Sequence, residues 1–154
     1  MAAVMTDNRD RQRCKVYAWE ERFVAALDPT SIRFAQAQGM VDAIWAEFGL
    51  RFPPEVERLP RQARSTMADA TRLSIRLPES SSSWWLLHEL AHAMTSTADG
   101  QSDGHGPTFM GLYVKLLGRY LRVPLDASLI SLEAADIEVD IRAEPIFIDG
   151  PPVR

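Results

Sequence analysis

The chain has a single cysteine, Cys14, in 154 residues. One thiol makes no intramolecular disulfide and no cysteine zinc ribbon, so it reads as an ordinary thiol in a reducing compartment. Basic charge is also scarce. Seventeen lysines and arginines against 21 aspartates and glutamates leave a formal net charge of -4. A dedicated nucleic-acid binder shows a basic excess or stripe, and nucleic acid is therefore not the expected partner. Arg9, Arg11, Arg13 and Lys15 form a mildly basic arm, but Asp7 and Asp10 interrupt it. No apolar run approaches the roughly 18 residues that span a bilayer, and "MAAVMTDNRDRQRCK" lacks a signal-peptide core. A cytoplasmic protein without a membrane partner is expected.

Histidine is rarer still. The chain holds three, and all lie in "HELAHAMTSTADGQSDGHGPTF", residues 88 to 109. His88-Glu89-Leu90-Ala91-His92 has the H-E-x-x-H form. Four residues advance a helix by about one turn, so both imidazoles leave one face and can reach one ion. Glu89 lies one step round, beside any water bound to that ion. Zinc brings such a water to a pKa of about 7, and a neighbouring carboxylate can accept its proton. A catalytic zinc takes three protein ligands and a water. His105, reached through a polar twelve-residue loop with two glycines, is the third candidate. The longer H-E-x-x-H-x-x-G-x-x-H pattern is absent, because Thr95 and Ala98 stand where it needs glycine and histidine. The bland alternative makes His88 and His92 satisfied core histidines. It strands the Glu89 charge between them.

Lesser candidates surround this motif. Trp84 and Trp85 read as core packing before walls of a cleft. Asp99 and Asp103 are solvated loop acids that could alternatively orient a ligand imidazole. Tyr113 falls on an apolar stripe and reads as packing, with oxyanion stabilisation as the sharper option.

Hydrophobic periodicity supplies the frame. "RCKVYAWEERFVAAL" (13 to 27) is a helix, ended at Asp28-Pro29. Phe34, Ala37, Val41, Ile44, Trp45 and Phe48 make one face of a helix from about 30 to 48, with Gly49 as its cap. "RFPPEVERLP" is too rich in proline to be helical. "TRLSIRLP" (71 to 78) alternates as a strand, with Leu73, Ile75 and Leu77 inward and Arg72 and Arg76 on the solvated face. "QARSTM" (62 to 67) is its candidate partner, through a turn at 68 to 70. Ser80 to Ser83 enter the apolar helix "WWLLHELAHAM". Gly106-Pro107 opens another helix with core face Phe109, Leu112, Tyr113, Leu116, Leu117 and Tyr120, stopped by Pro124. "IEVDIR" (137 to 142) alternates as a late strand. The expectation is one α+β domain over residues 1 to 154, helices packed on a short, mostly antiparallel sheet. About 1–12 and 149–154 are expected to be flexible.

"HELAH" and, after twelve residues, "DGHGPTF" resemble the SprT-like (Spartan-type) zinc metallopeptidases over residues 71 to 120. With "RDRQRCKVYAWE" included, the whole chain resembles a short actinobacterial family of metallohydrolases. The resemblance implies a zincin-like fold, zinc on His88, His92 and His105, and Glu89 as catalytic base. It implies a peptidase acting on a peptide or protein. SprT-like enzymes that act on DNA-crosslinked protein carry extra DNA-binding elements, often a cysteine zinc ribbon, which one cysteine cannot build. Two other readings stay open: a zinc-stabilised binding or regulatory module that cuts nothing, and a latent protease that needs DNA or a partner. In zincin folds an edge strand near the metal aligns an extended substrate, a role the resemblance gives to the strand at 71 to 78.

Overall fold

The computed structural model describes residues 10–60 and 68–145, and the chain folds as a small α+β domain. Helix α1 (13–27) starts at Arg13–Trp19, widens into a π-helical turn over Glu20–Val24 and closes with Ala25–Leu27. The π turn is the bond from Ala25 N–H to the Glu20 carbonyl, five residues back. Its buried stripe is Val16, Trp19, Glu20 and Val24. Pro29 keeps Asp28 extended and ends the helix as expected.

Helix α2 (Phe34–Glu47) buries Ala37, Val41, Ile44 and Trp45. It ends where the sequence predicts. Gly49, at φ +73°, donates to the Ala46 carbonyl and Leu50 to that of Trp45, the paired bonds of a left-handed C-cap. Its start is later than expected, because Ser31–Arg33 forms strand β1 instead. The serine run is that strand's partner. Strand β5 (Ser80–Ser82) pairs antiparallel with β1, and only Ser83 enters the following helix.

A second sheet has the order β2-β4-β3, built from β2 (Glu55–Arg58), β3 (Asp69–Ala70) and β4 (Ser74–Leu77). β3 and β4 are antiparallel, and β2 runs parallel to β4. The strand expected at 71 to 78 begins three residues late. The Thr71 backbone N–H donates to the Ser74 carbonyl, and the Thr71 hydroxyl accepts from Leu73 and Ser74 N–H. This turn takes Leu73 to 63% exposure and folds Arg72 inward to 2%. Arg72 lies with its guanidinium carbon 4.7 Å from the Trp45 ring centroid and donates to the Phe52 carbonyl. Ile75 and Leu77 are buried, and Arg76 pairs with Asp69 outside. The expected partner at 62 to 67 lies outside the described residues. The partner seen is β3, which occupies the place expected to be a turn. β4 is the central strand of its sheet rather than an edge.

Helix α3 (Ser83–Met94) is buried nearly all round, as its apolar composition requires. It packs on β3, β4 and β5 and most extensively on helix α4 (Pro107–Leu121). Pro107 is the first residue of α4, and Phe109, Leu112, Tyr113, Leu116 and Leu117 are buried, with Tyr120 half-buried. Helix α5 (Leu125–Ala134) follows Pro124 and is tied to α1 by the Trp19 indole N–H donating to Ser131 Oγ.

The segment 137–142 is not a strand. It crosses α4 so closely that a Cβ on Gly111 would stand 1.8 Å from the Asp140 carbonyl oxygen. The Gln12 side chain takes the place of a neighbouring strand, accepting from Glu138 N–H at 2.6 Å and donating to its carbonyl at 3.2 Å. Residues 10–12, expected to be flexible, are therefore built into the fold. No described helix is long and apolar enough to cross a membrane.

Candidate metal centre

Helix α3 delivers His88 and His92 one turn apart, and the first residues before α4 deliver His105. The three Nε2 atoms form a triangle with every side 3.2 Å. His88 is 1% exposed and His105 5%, and the three together can hold a metal ion. Phe109 floors the cluster, its ring stacked on His92 at 4.3 Å between centroids.

Two acids turn the imidazoles inward. His88 Nδ1 lies 2.6 Å from Glu20 Oε2, and the Tyr113 hydroxyl donates to the same oxygen at 2.6 Å. His105 Nδ1 lies 2.9 Å from Asp10 Oδ2, while Asp10 Oδ1 accepts from the His105 backbone N–H at 3.0 Å. The Gln12 amide closes the corner by donating to the His105 carbonyl. An acceptor oxygen at Nδ1 fixes the proton there and leaves the Nε2 lone pair free. His88 and His105 thus point lone pairs at one spot.

That donor set fits a zinc ion. Nitrogens 3.2 Å apart subtend about 100° at an ion about 2.0–2.1 Å from each, close to tetrahedral. Without a cation, convergent lone pairs at this distance repel. Burial, and then the neighbouring His105, hold His88 well below the usual imidazole value. Burial, with His88 and His105, does the same for His92. Both rings are therefore neutral near pH 7, the form that ligates.

Glu89 is 4% exposed, with Oε1 3.8 Å from His88 Nε2. Its Oε2 is buried and has no hydrogen-bond partner among the described residues. Burial, then Asp69 and Glu20, push the Glu89 carboxyl up to about 8. Burial also raises Glu20 to about 8, against the Tyr113 hydrogen bond and His105. A buried carboxyl oxygen without a hydrogen-bond partner thus stands beside three imidazole nitrogens that could hold a cation.

The remaining candidates fall elsewhere. Asp103 touches no histidine; it accepts from the Thr108 and Phe109 N–H groups and caps α4. Asp99 bonds Thr97. Tyr113 is wholly buried, with its ring against His88. Trp84 is buried in the core, with Trp85 beside it. In the basic arm, Lys15 pairs with Asp136, and Arg13 lies against the Tyr17 ring.

Sequence reasoning missed Asp10, Glu20 and Tyr17. Tyr17 lies between the cluster and solvent, with its ring 6.0 Å from His88 and 5.1 Å from His105. Glu20 had a readable signal, since it stands midway between Val16 and Val24 on the apolar stripe of α1. A carboxylate at such a place needs a buried partner. Asp10 had none.

No family model matches the chain, and no curated protein or solved structure does either.

Proposed function

We propose that the protein is a zinc-dependent metallohydrolase, most naturally a peptidase. The observation that carries this reading is the triangle of Nε2 atoms with the unpartnered Glu89 carboxylate beside it. His88, His92 and His105 would hold the ion. Zinc bound there supplies a Lewis acid for the scissile carbonyl and makes a coordinated water acidic. Glu89 takes the proton as the water oxygen adds to the carbonyl carbon. It returns that proton to the amide nitrogen as the C–N bond breaks. Glu20 and Asp10 keep the imidazoles oriented, and Phe109 and Tyr113 keep water from behind them. The likeness of "HELAH" and "DGHGPTF" to the SprT-like metallopeptidases supports the same chemistry and the same four residues.

The depth of the site favours a rival, in which zinc only stabilises a binding module. Glu89→Gln separates the two. The variant should keep about one zinc per chain and lose at least about a hundredfold of peptide-library cleavage. Zinc-loaded wild type that cleaves nothing in such a library, with and without single-stranded DNA, would leave the binding module standing.

A further inference from the structure

We infer that Tyr17 donates a hydrogen bond to the substrate carbonyl oxygen as it gains negative charge, which makes α1 part of the reacting site. This inference rests on the hydrolase reading above.

An oxyanion next to a metal is stabilised by a donor whose place is fixed before the substrate arrives. Tyr113, the residue that the sequence offers for that task, is wholly buried with its hydroxyl committed to Glu20. Tyr120 stands on α4 beside Arg119 and has no ring contact with the histidines. Of the three tyrosines, Tyr17 alone combines contact with ligand rings and an open side. Its ring stacks on His88, at 17° between planes, and meets His105 edge-on, yet it is 41% exposed.

The helix holds it there. Asp10 grips His105 just before α1 begins, and Glu20 grips His88 one turn after Tyr17. Residues three apart share a helix face, so Glu20 and Tyr17 meet the centre together, one behind it and one at its rim. One anchor on α1 and one just before it leave the phenol little freedom to retreat. A tyrosine hydroxyl is a hydrogen-bond donor as well as an acceptor. Arg13, one turn earlier, places its guanidinium carbon 5.7 Å from the Tyr17 ring and adds positive charge on the same side.

The test uses Tyr17→Phe, which keeps the ring and removes only the hydroxyl. Wild type and variant are loaded with zinc for metal analysis and with cobalt for visible spectra, and acetohydroxamate is titrated into the cobalt forms. Metal content should be equal in both. The hydroxamate dissociation constant should rise about tenfold in the variant, the loss of one hydrogen bond to a charged oxygen. On any peptide that wild type cleaves, kcat should fall about a hundredfold with KM changed far less. Equal hydroxamate affinity in the two proteins would overturn the role of Tyr17 and leave the hydrolase reading intact. Wild type that holds cobalt yet gives no spectral change with hydroxamate would overturn both.

Discussion

Glu20 and His88 stand 68 residues apart in the chain and 2.6 Å apart in the fold, each side chain 2% exposed. The carboxylate aligns the imidazole and makes its far nitrogen a stronger donor to a cation. Glu20→Gln leaves an acceptor for Nδ1–H but removes the charge. Zinc affinity should fall about 10–100-fold, measured by competition with a chromogenic chelator. An unchanged affinity would reduce Glu20 to a packing residue.

The histidines of this centre were legible because their geometry is local. His88 and His92 share a helix face through a four-residue step, and His105 lies within the same short stretch. The carboxylates that orient them come from the other end of the chain, and no periodicity records a pairing across 68 or 95 residues. The π turn that begins at Glu20 also has no pattern in "AWEERFV". Helices α2, α3 and α4 were readable from apolar spacing and caps. The strands were less so. Thr71 bonds its own turn and shifts the start of β4, so Arg72 goes in and Leu73 goes out. The alternation of "IEVDIR" suggested a strand, but the segment pairs with no described strand: its backbone bonds the Gln12 amide, the Pro107 and Leu132 carbonyls and, locally, Asp140.

Removing one corner of the triangle should remove the metal. Wild type purified without chelators should carry about one zinc per chain by elemental analysis. His105→Ala should carry little, since two histidines on one helix turn leave zinc a ligand short. Wild type that neither retains zinc nor takes it up on reloading would remove the basis for the metallohydrolase reading.

Arg72 and Arg76 are four residues apart and should behave differently. Arg72 is buried on Trp45 and bonded to a backbone carbonyl, so Arg72→Leu discards a cation–π contact and leaves an acceptor unmet. A loss of about 2–3 kcal/mol in denaturant unfolding is expected. Arg76 meets Asp69 at the surface, and Arg76→Ala should leave the unfolding midpoint nearly unchanged. Equal effects at the two positions would contradict the turn at Thr71.

The buried acids give the metal-free protein an unusual pH dependence. Glu20 and Glu89 titrate near 8 in the fold, against an ordinary value of 4.5, because burial disfavours their charge. Between those values the folded protein holds more protons than the unfolded chain, so stability falls as pH rises. His88 and His92 act with the opposite sign, since their values are lowered, but their effect fades above 6.5 as the unfolded imidazoles lose their protons. From pH 6.5 to 8 the carboxyls dominate, and each removes on the order of 2 kcal/mol. The urea midpoint of chelator-treated protein should therefore drop across that window. Zinc should abolish the drop, because a cation on the three Nε2 atoms favours the charged carboxylates and draws their values back down. A metal-free midpoint that stays level from pH 6.5 to 8 would mean that Glu20 and Glu89 share their burial with water.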